Sequence, residues 1–111
     1  VTVAPRVLEI ADHLLLIERE LQVQGWWSDT APSDVAMAST VPFAVDAMPF
    51  EQWLQWIFLP RMKQIIEFGQ PLPNASGILV MAETVFASRA EQSRELRRLL
   101  AAFDRLIAPS A

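Results

Sequence analysis

Apolar residues spaced three and four positions apart dominate the chain, and the clearest run closes it: Leu96, Leu99, Leu100, Phe103, Leu106 and Ile107. A helix turns once in about 3.6 residues, so these six share one face, whereas a strand would scatter them over both of its faces. The helix they predict runs from about Ala90 to Ile107 and ends before Pro109. Three earlier segments repeat the spacing. From Pro5, which suits a first helical turn, Val7, Ile10, Leu14, Ile17 and Leu21 form a stripe that Leu8, Ala11 and Leu15 widen, up to Gly25 and Trp26-Trp27. Phe50, Trp53, Leu54, Ile57 and Phe58 form the next, and Met62, Ile65 and Ile66 continue it beyond Pro60, before Gly69, Pro71 and Pro73 stop it. A third helix, capped by Asn74 or Ser76, carries Ile78, Leu79, Ala82, Val85 and Phe86 towards Ser88.

These segments predict an all-α fold, a single-domain bundle of about four helices with a long loop at 28–48 and a proline kink near Pro60. The loop is broken by Pro32, Pro42 and several aspartates and serines, and Ser33-Asp34 suits the cap of one turn over Val35 to Ala38. Asp46 is expected either to cap the second helix or to order the loop by accepting backbone N–H groups. With 111 residues, 52% of them hydrophobic, the chain has enough apolar surface for one core. No uninterrupted apolar run reaches the roughly 18 residues of a membrane span.

Composition narrows the chemistry. The sequence has no cysteine, so thiolate catalysis and disulfides are excluded, and its one histidine, His13, has no partner at metal-ligand spacing. Neither a metal nor a cofactor is expected. No glycine-rich phosphate loop, nucleophile elbow or paired-carboxylate motif occurs, so the reading leans away from an enzyme. The start, Val1-Thr2-Val3-Ala4-Pro5-Arg6, lacks the basic-then-apolar pattern of a leader, and a cytoplasmic location is expected.

Three surfaces are candidates for binding. Trp56 falls about 100° off the inward stripe of a regular second helix, so it is either covered by the 28–48 loop through Pro42 and Phe43 or, beside Pro60, Arg61 and Met62, forms a partner-binding surface. Arg94, Arg98 and Arg105 lie on the outer face of the last helix, where they suit phosphates or an acidic partner, although Glu91, Glu95 and Asp104 are interspersed. An overall charge of −4 opposes direct RNA binding there, though residues 61–111 carry +2 against −6 in residues 1–60. Glu18, on the apolar side of the first helix, is the candidate for a perturbed carboxylate and for a small-ligand or catalytic pocket. An apolar excess in so short a chain also makes a second copy a candidate partner.

Three runs carry a family likeness: Val41-Pro42-Phe43-Ala44-Val45-Asp46-Ala47-Met48, Trp53-Leu54-Gln55-Trp56-Ile57-Phe58-Leu59-Pro60-Arg61-Met62, and Gln70-Pro71-Leu72-Pro73. With them the chain resembles the YqcC-like family. That resemblance implies a small bacterial α-helical protein without an assigned activity, often encoded beside a tRNA pseudouridine synthase. It brings no catalytic residues to carry over. The function expected is a non-catalytic interaction or accessory module with the synthase as a candidate partner, and direct RNA binding through the arginines or a small-ligand or enzyme pocket near Glu18 are its alternatives.

Overall fold

The computed structural model describes residues 5–73 and 77–108. α1 (Pro5–Val23) starts on its proline and buries Ile10, Leu14, Ile17 and Leu21 to 1% exposure or less. It packs against two partners, the last helix and the segment after Pro60. The stripe is narrower than its sequence suggests, for Leu8 and Leu15 are 55% and 59% exposed. They lie roughly 130–150° round the helix from the centre of the buried line. α1 then stops as expected. Gly25 adopts a φ of 75°, and the N–H of Trp26 donates to the Leu21 carbonyl at 2.9 Å while that of Gly25 donates to Gln22, the reciprocal pattern of a left-handed helix end.

The connection from 28 to 48 holds a single helical turn, α2 (Asp34–Met37), one of whose orphan N–H groups, that of Ala36, donates to the Ser33 hydroxyl at 3.1 Å. A 3₁₀ turn follows at Pro42–Ala44. Asp46 orders this loop, but through a side chain: its carboxylate accepts from the Ser39 hydroxyl at 2.6 Å, while α3 is preceded by Pro49 with no side-chain cap.

α3 (Phe50–Trp53) and α4 (Leu59–Glu67) form one run joined by a π turn, Leu54–Phe58. This is the form the irregularity near Pro60 takes. The Leu59 N–H reaches back five residues to the Leu54 carbonyl, and Pro60, which has no N–H to offer and whose ring would crowd the carbonyl four residues back, sits just beyond the widened turn. One extra residue in the turn also shifts everything downstream by about 100°. Leu59 and Met62 are thereby brought inside, at 1% and 3% exposure, and Ile57, expected inward, is only half-buried.

α5 (Ile78–Val85) and a 3₁₀ turn at Ala87–Arg89 lead to α6 (Arg94–Ile107), which buries Leu96, Leu99, Leu100, Phe103 and Ile107. The helix caps expected at Asn74 or Ser76 and the stop at Pro109 lie outside the described residues. Asp104, expected on the outer face of α6, instead turns towards α5 and accepts the Leu79 N–H at 3.2 Å, placing negative charge at that helix's positive end. No strand occurs among the described residues.

The elements meet through rings. Phe58 lies edge-on to Phe103 at 5.0 Å between centroids, Trp53 stacks on Phe58 at 5.5 Å, and Phe50 joins Trp53 to Phe86. Trp26 stacks on Phe86 at 5.1 Å with 7° between planes, and the Arg89 guanidinium lies within 4.9 Å of both ring centres while pairing with Glu51 at 3.1 Å. Arg89 thus ties the end of α1 to α3 by cation–π attraction and an ion pair.

The asymmetry of α1 is directly measurable. Leu14→Ala should destabilise the fold by about 2–5 kcal/mol and Leu15→Ala by less than about 0.5 kcal/mol in urea denaturation. Equal losses would place Leu15 in the core.

Candidate functional site

The π turn turns Gln55 inward, to 5% exposure, where a buried amide must find partners. It finds both on one residue: its Oε1 accepts the Ser28 N–H and its Nε2 donates to the Ser28 carbonyl, each at 2.7 Å. A side chain thus pairs with the backbone as a neighbouring strand would, and the start of the long connection is fixed to the middle of the α3–α4 run.

The far part of that connection is held by a ring. Phe43 packs edge-on to Trp53 at 4.9 Å and to Phe50 at 6.1 Å. To bring it there the backbone turns left-handed at two successive non-glycine residues, Phe43 (φ 59°) and Ala44 (φ 48°). Each costs about 1 kcal/mol. The buried Ala44 and its N–H, which donates to the Val41 carbonyl at 2.9 Å, hold the turn in place. Phe43 therefore packs its ring on Trp53, and with Pro42 it shares a hollow with Trp56.

Trp56 is left half-buried as a partition between two hollows. On one side, Pro42, Phe43, Trp56, Pro60 and Arg61 line a space of about 460 Å³, joined by Trp53, Ile57 and Gln64. Five of the six residues expected to form a partner surface are thus brought together. The sixth, Met62, is buried and contributes nothing to it. On the other side, Glu18, Trp27, Ser28 and Lys63 border a space of about 410 Å³. The indole Nε1 between them is shut from solvent and has no acceptor among the described residues. An unmet buried N–H of this kind costs about 1–3 kcal/mol.

Glu18 lies at the edge of the core and pairs with Lys63 at 2.8 Å, an ordinary interhelical bridge that joins α1 to α4. His13 is in hydrogen-bonding contact with the Glu9 carbonyl at 3.0 Å through Nδ1, and no three His, Cys, Asp or Glu side chains among the described residues are grouped to hold a metal. On α6, Arg94 pairs with Glu91 and Arg98 with Glu95. The hydrogen bond from Arg98, aided by its charge, holds the Glu95 carboxyl below its ordinary value and raises that of the arginine. Arg97 is turned back onto the Ser93 hydroxyl and the Ala90 carbonyl, and Arg105 remains exposed. No helix among the described residues is long and apolar enough to cross a membrane.

Gln55 was the functional-looking residue that sequence spacing did not single out, since an inward glutamine is invisible without the π turn. A family model described as DUF446, tRNA pseudouridine synthase C, matches residues 9–106. The chain belongs to this YqcC-like family. It is 32% identical over 99 residues to the uncharacterized protein YqcC of Escherichia coli, covering 89% of this chain and 91% of that one. The solution NMR structure of E. coli YqcC superposes with a TM-score of 0.85 at 29% identity, over 97% of this chain and 92% of the other. An uncharacterized protein of Haemophilus influenzae is 35% identical over 88 residues, 79% of each chain. A tRNA pseudouridine synthase C of Pectobacterium carotovorum is 39% identical over 67 residues, which are 60% of this chain and 18% of the synthase.

Gln55→Ala removes both bonds and strands two backbone groups of Ser28. A loss of about 1–3 kcal/mol in thermal or urea denaturation is expected, with faster amide exchange at Ser28. Unchanged exchange there would mean that other contacts hold the loop.

Proposed function

We propose that this YqcC-like chain is a non-catalytic interaction module that receives a tRNA pseudouridine synthase in the hollow beside Trp56. One observation carries the reading. Residues far apart in the sequence, from Pro42 to Arg61, are gathered around one concave surface by two costly devices, the π turn and the left-handed pair at Phe43 and Ala44. Such local strain concentrates where a fold binds or acts.

The surface suits a protein partner. Trp56 and Trp53 supply large, rigid area at small entropic cost, Arg61 adds an exposed cation at the edge, and a partner carbonyl that reached the indole N–H would satisfy a buried donor. The choice of a synthase is supported by the Pectobacterium protein of that name, in which a stretch similar to this chain occupies 18% of the polypeptide. Placing two such units on one chain raises their effective concentration to a level that separate chains reach only by binding. Direct RNA binding through α6 is less favoured, because Glu91 and Glu95 already offset Arg94 and Arg98.

The test uses the purified full chain and a separately purified pseudouridine synthase from the same organism, titrated by calorimetry. Trp56→Ala, verified as folded by circular dichroism, should weaken binding at least tenfold, and Arg94→Glu/Arg98→Glu should leave it within about threefold of wild type. Absence of binding at high micromolar concentrations would overturn the partner. RNA capture that disappears with the arginine changes and with added salt would move the function to α6.

A further inference from the structure

α1 has a second face that the bundle does not use. With α4 and α6 packed against it, the side opposite the buried stripe points outwards, and there Leu8, Leu15, Leu16 and Val23 are 55%, 59%, 44% and 67% exposed. Eight large hydrophobic residues are exposed to 44% or more among the described residues, and these four fall within an arc of roughly 100° on one helix. Solvated helices usually carry charge on that side. Two charged residues do lie within the arc, Asp12 and Arg19, both exposed, and neither forms an ion pair within the chain among the described residues.

The order of these six residues is what identifies the occupant. About a midpoint between Leu15 and Leu16 they pair off at equal distances: Leu15 with Leu16, Asp12 with Arg19, and Leu8 with Val23. A second α1 laid antiparallel on the first, related by a two-fold axis through that midpoint, sets leucine against leucine at the centre. It also sets Asp12 of each copy against Arg19 of the other, and Leu8 against Val23 at both ends. An isologous contact demands this self-complementarity, in which every acid is matched by a base at the mirrored position. A foreign partner has no need of it.

We propose that this face of α1 is the interface of a homodimer, formed by antiparallel pairing of two α1 helices. The proposal is independent of the hollow lined by Pro42, Trp56 and Arg61, none of whose lining residues lies in α1. Leu8 to Val23 spans roughly 22 Å of helix, which gives a small interface. The dimer therefore belongs to the weak class, with a dissociation constant on the order of 100 µM.

Sedimentation equilibrium of the full chain tests this across a range of concentrations. Wild type should show a reversible monomer–dimer equilibrium. Asp12→Arg and Arg19→Asp, each confined to the surface, should each raise the dissociation constant about tenfold by opposing like charges at both ends. The double exchange Asp12→Arg/Arg19→Asp should return it to within about threefold of wild type. An equimolar mixture of the two single variants should form a heterodimer that neither forms alone, because one then offers two bases and the other two acids. A chain that stays monomeric up to about 1 mM overturns the proposal. So does a dimer indifferent to either charge reversal, or a mixture that associates no better than its components.

Discussion

The rest of the structure depends on how a helix accommodates Pro60. A proline inside a helix removes one backbone donor and drives its ring against the turn before it, which commonly bends or ends the helix. Here the preceding turn widens instead, the Leu59 N–H reaches Leu54, and helical dihedrals persist through Phe58 and Leu59. The apolar sequence requires this solution. Phe50, Leu54, Phe58, Met62 and Ile66 are each four residues apart, and in a regular helix each step drifts by about 40°, so that the line would leave the core before it reached α4. One extra residue in the turn resets the drift. Proline and spacing thus have one remedy, and neither makes sense without the other.

That remedy also shapes the hollow. Rotating the second half of the run inward leaves Gln55 facing the protein, where Ser28 supplies both its partners, and leaves Trp56 at the boundary, where the loop from Met37 to Ala44 closes one side of a hollow. The loop makes several turn hydrogen bonds of its own, and two contacts fix it to the helices. It is located at one end by an amide and at the other by the Phe43 ring, and the left-handed backbone at Phe43 and Ala44 is offset by the aromatic contacts it makes possible. The hollow is therefore a joint consequence of the helix geometry and of the loop's left-handed turn.

How far this was legible in the sequence follows from the range of each interaction. Local signals were read directly: the core lines of α1 and α6, the left-handed stop at Gly25 and the Ser33 cap depend on residues within a few positions of one another. The gathering of Pro42, Phe43, Trp56, Pro60 and Arg61 was legible as a set, from the family likeness and from an off-stripe tryptophan. Its geometry was not. A wheel drawn at 3.6 residues per turn sends Ile57 inward and Leu59 outward, and only the π turn reverses them. Asp104 illustrates a second limit, for its spacing on α6 marks it as one of several solvated charges, whereas its partner is an N–H on α5, twenty-five positions earlier.

The hollow and the outer face of α1 differ in the kind of partner each would suit. The hollow is asymmetric, with tryptophan, proline and one arginine on a concave wall, and such a surface can be complementary only to something unlike itself. The outer face of α1 is nearly its own mirror image about Leu15 and Leu16, with Asp12 and Arg19 as opposites, and such a face is complementary to itself. Because no residue is shared between them, occupation of one does not compete with the other. A chain paired through α1 carries two hollows, and a partner that is itself paired could engage both. On the proposed pairing, weak contacts at each surface would reinforce one another through effective concentration, so that modest interfaces would suffice for an ordered assembly while each contact still exchanged freely.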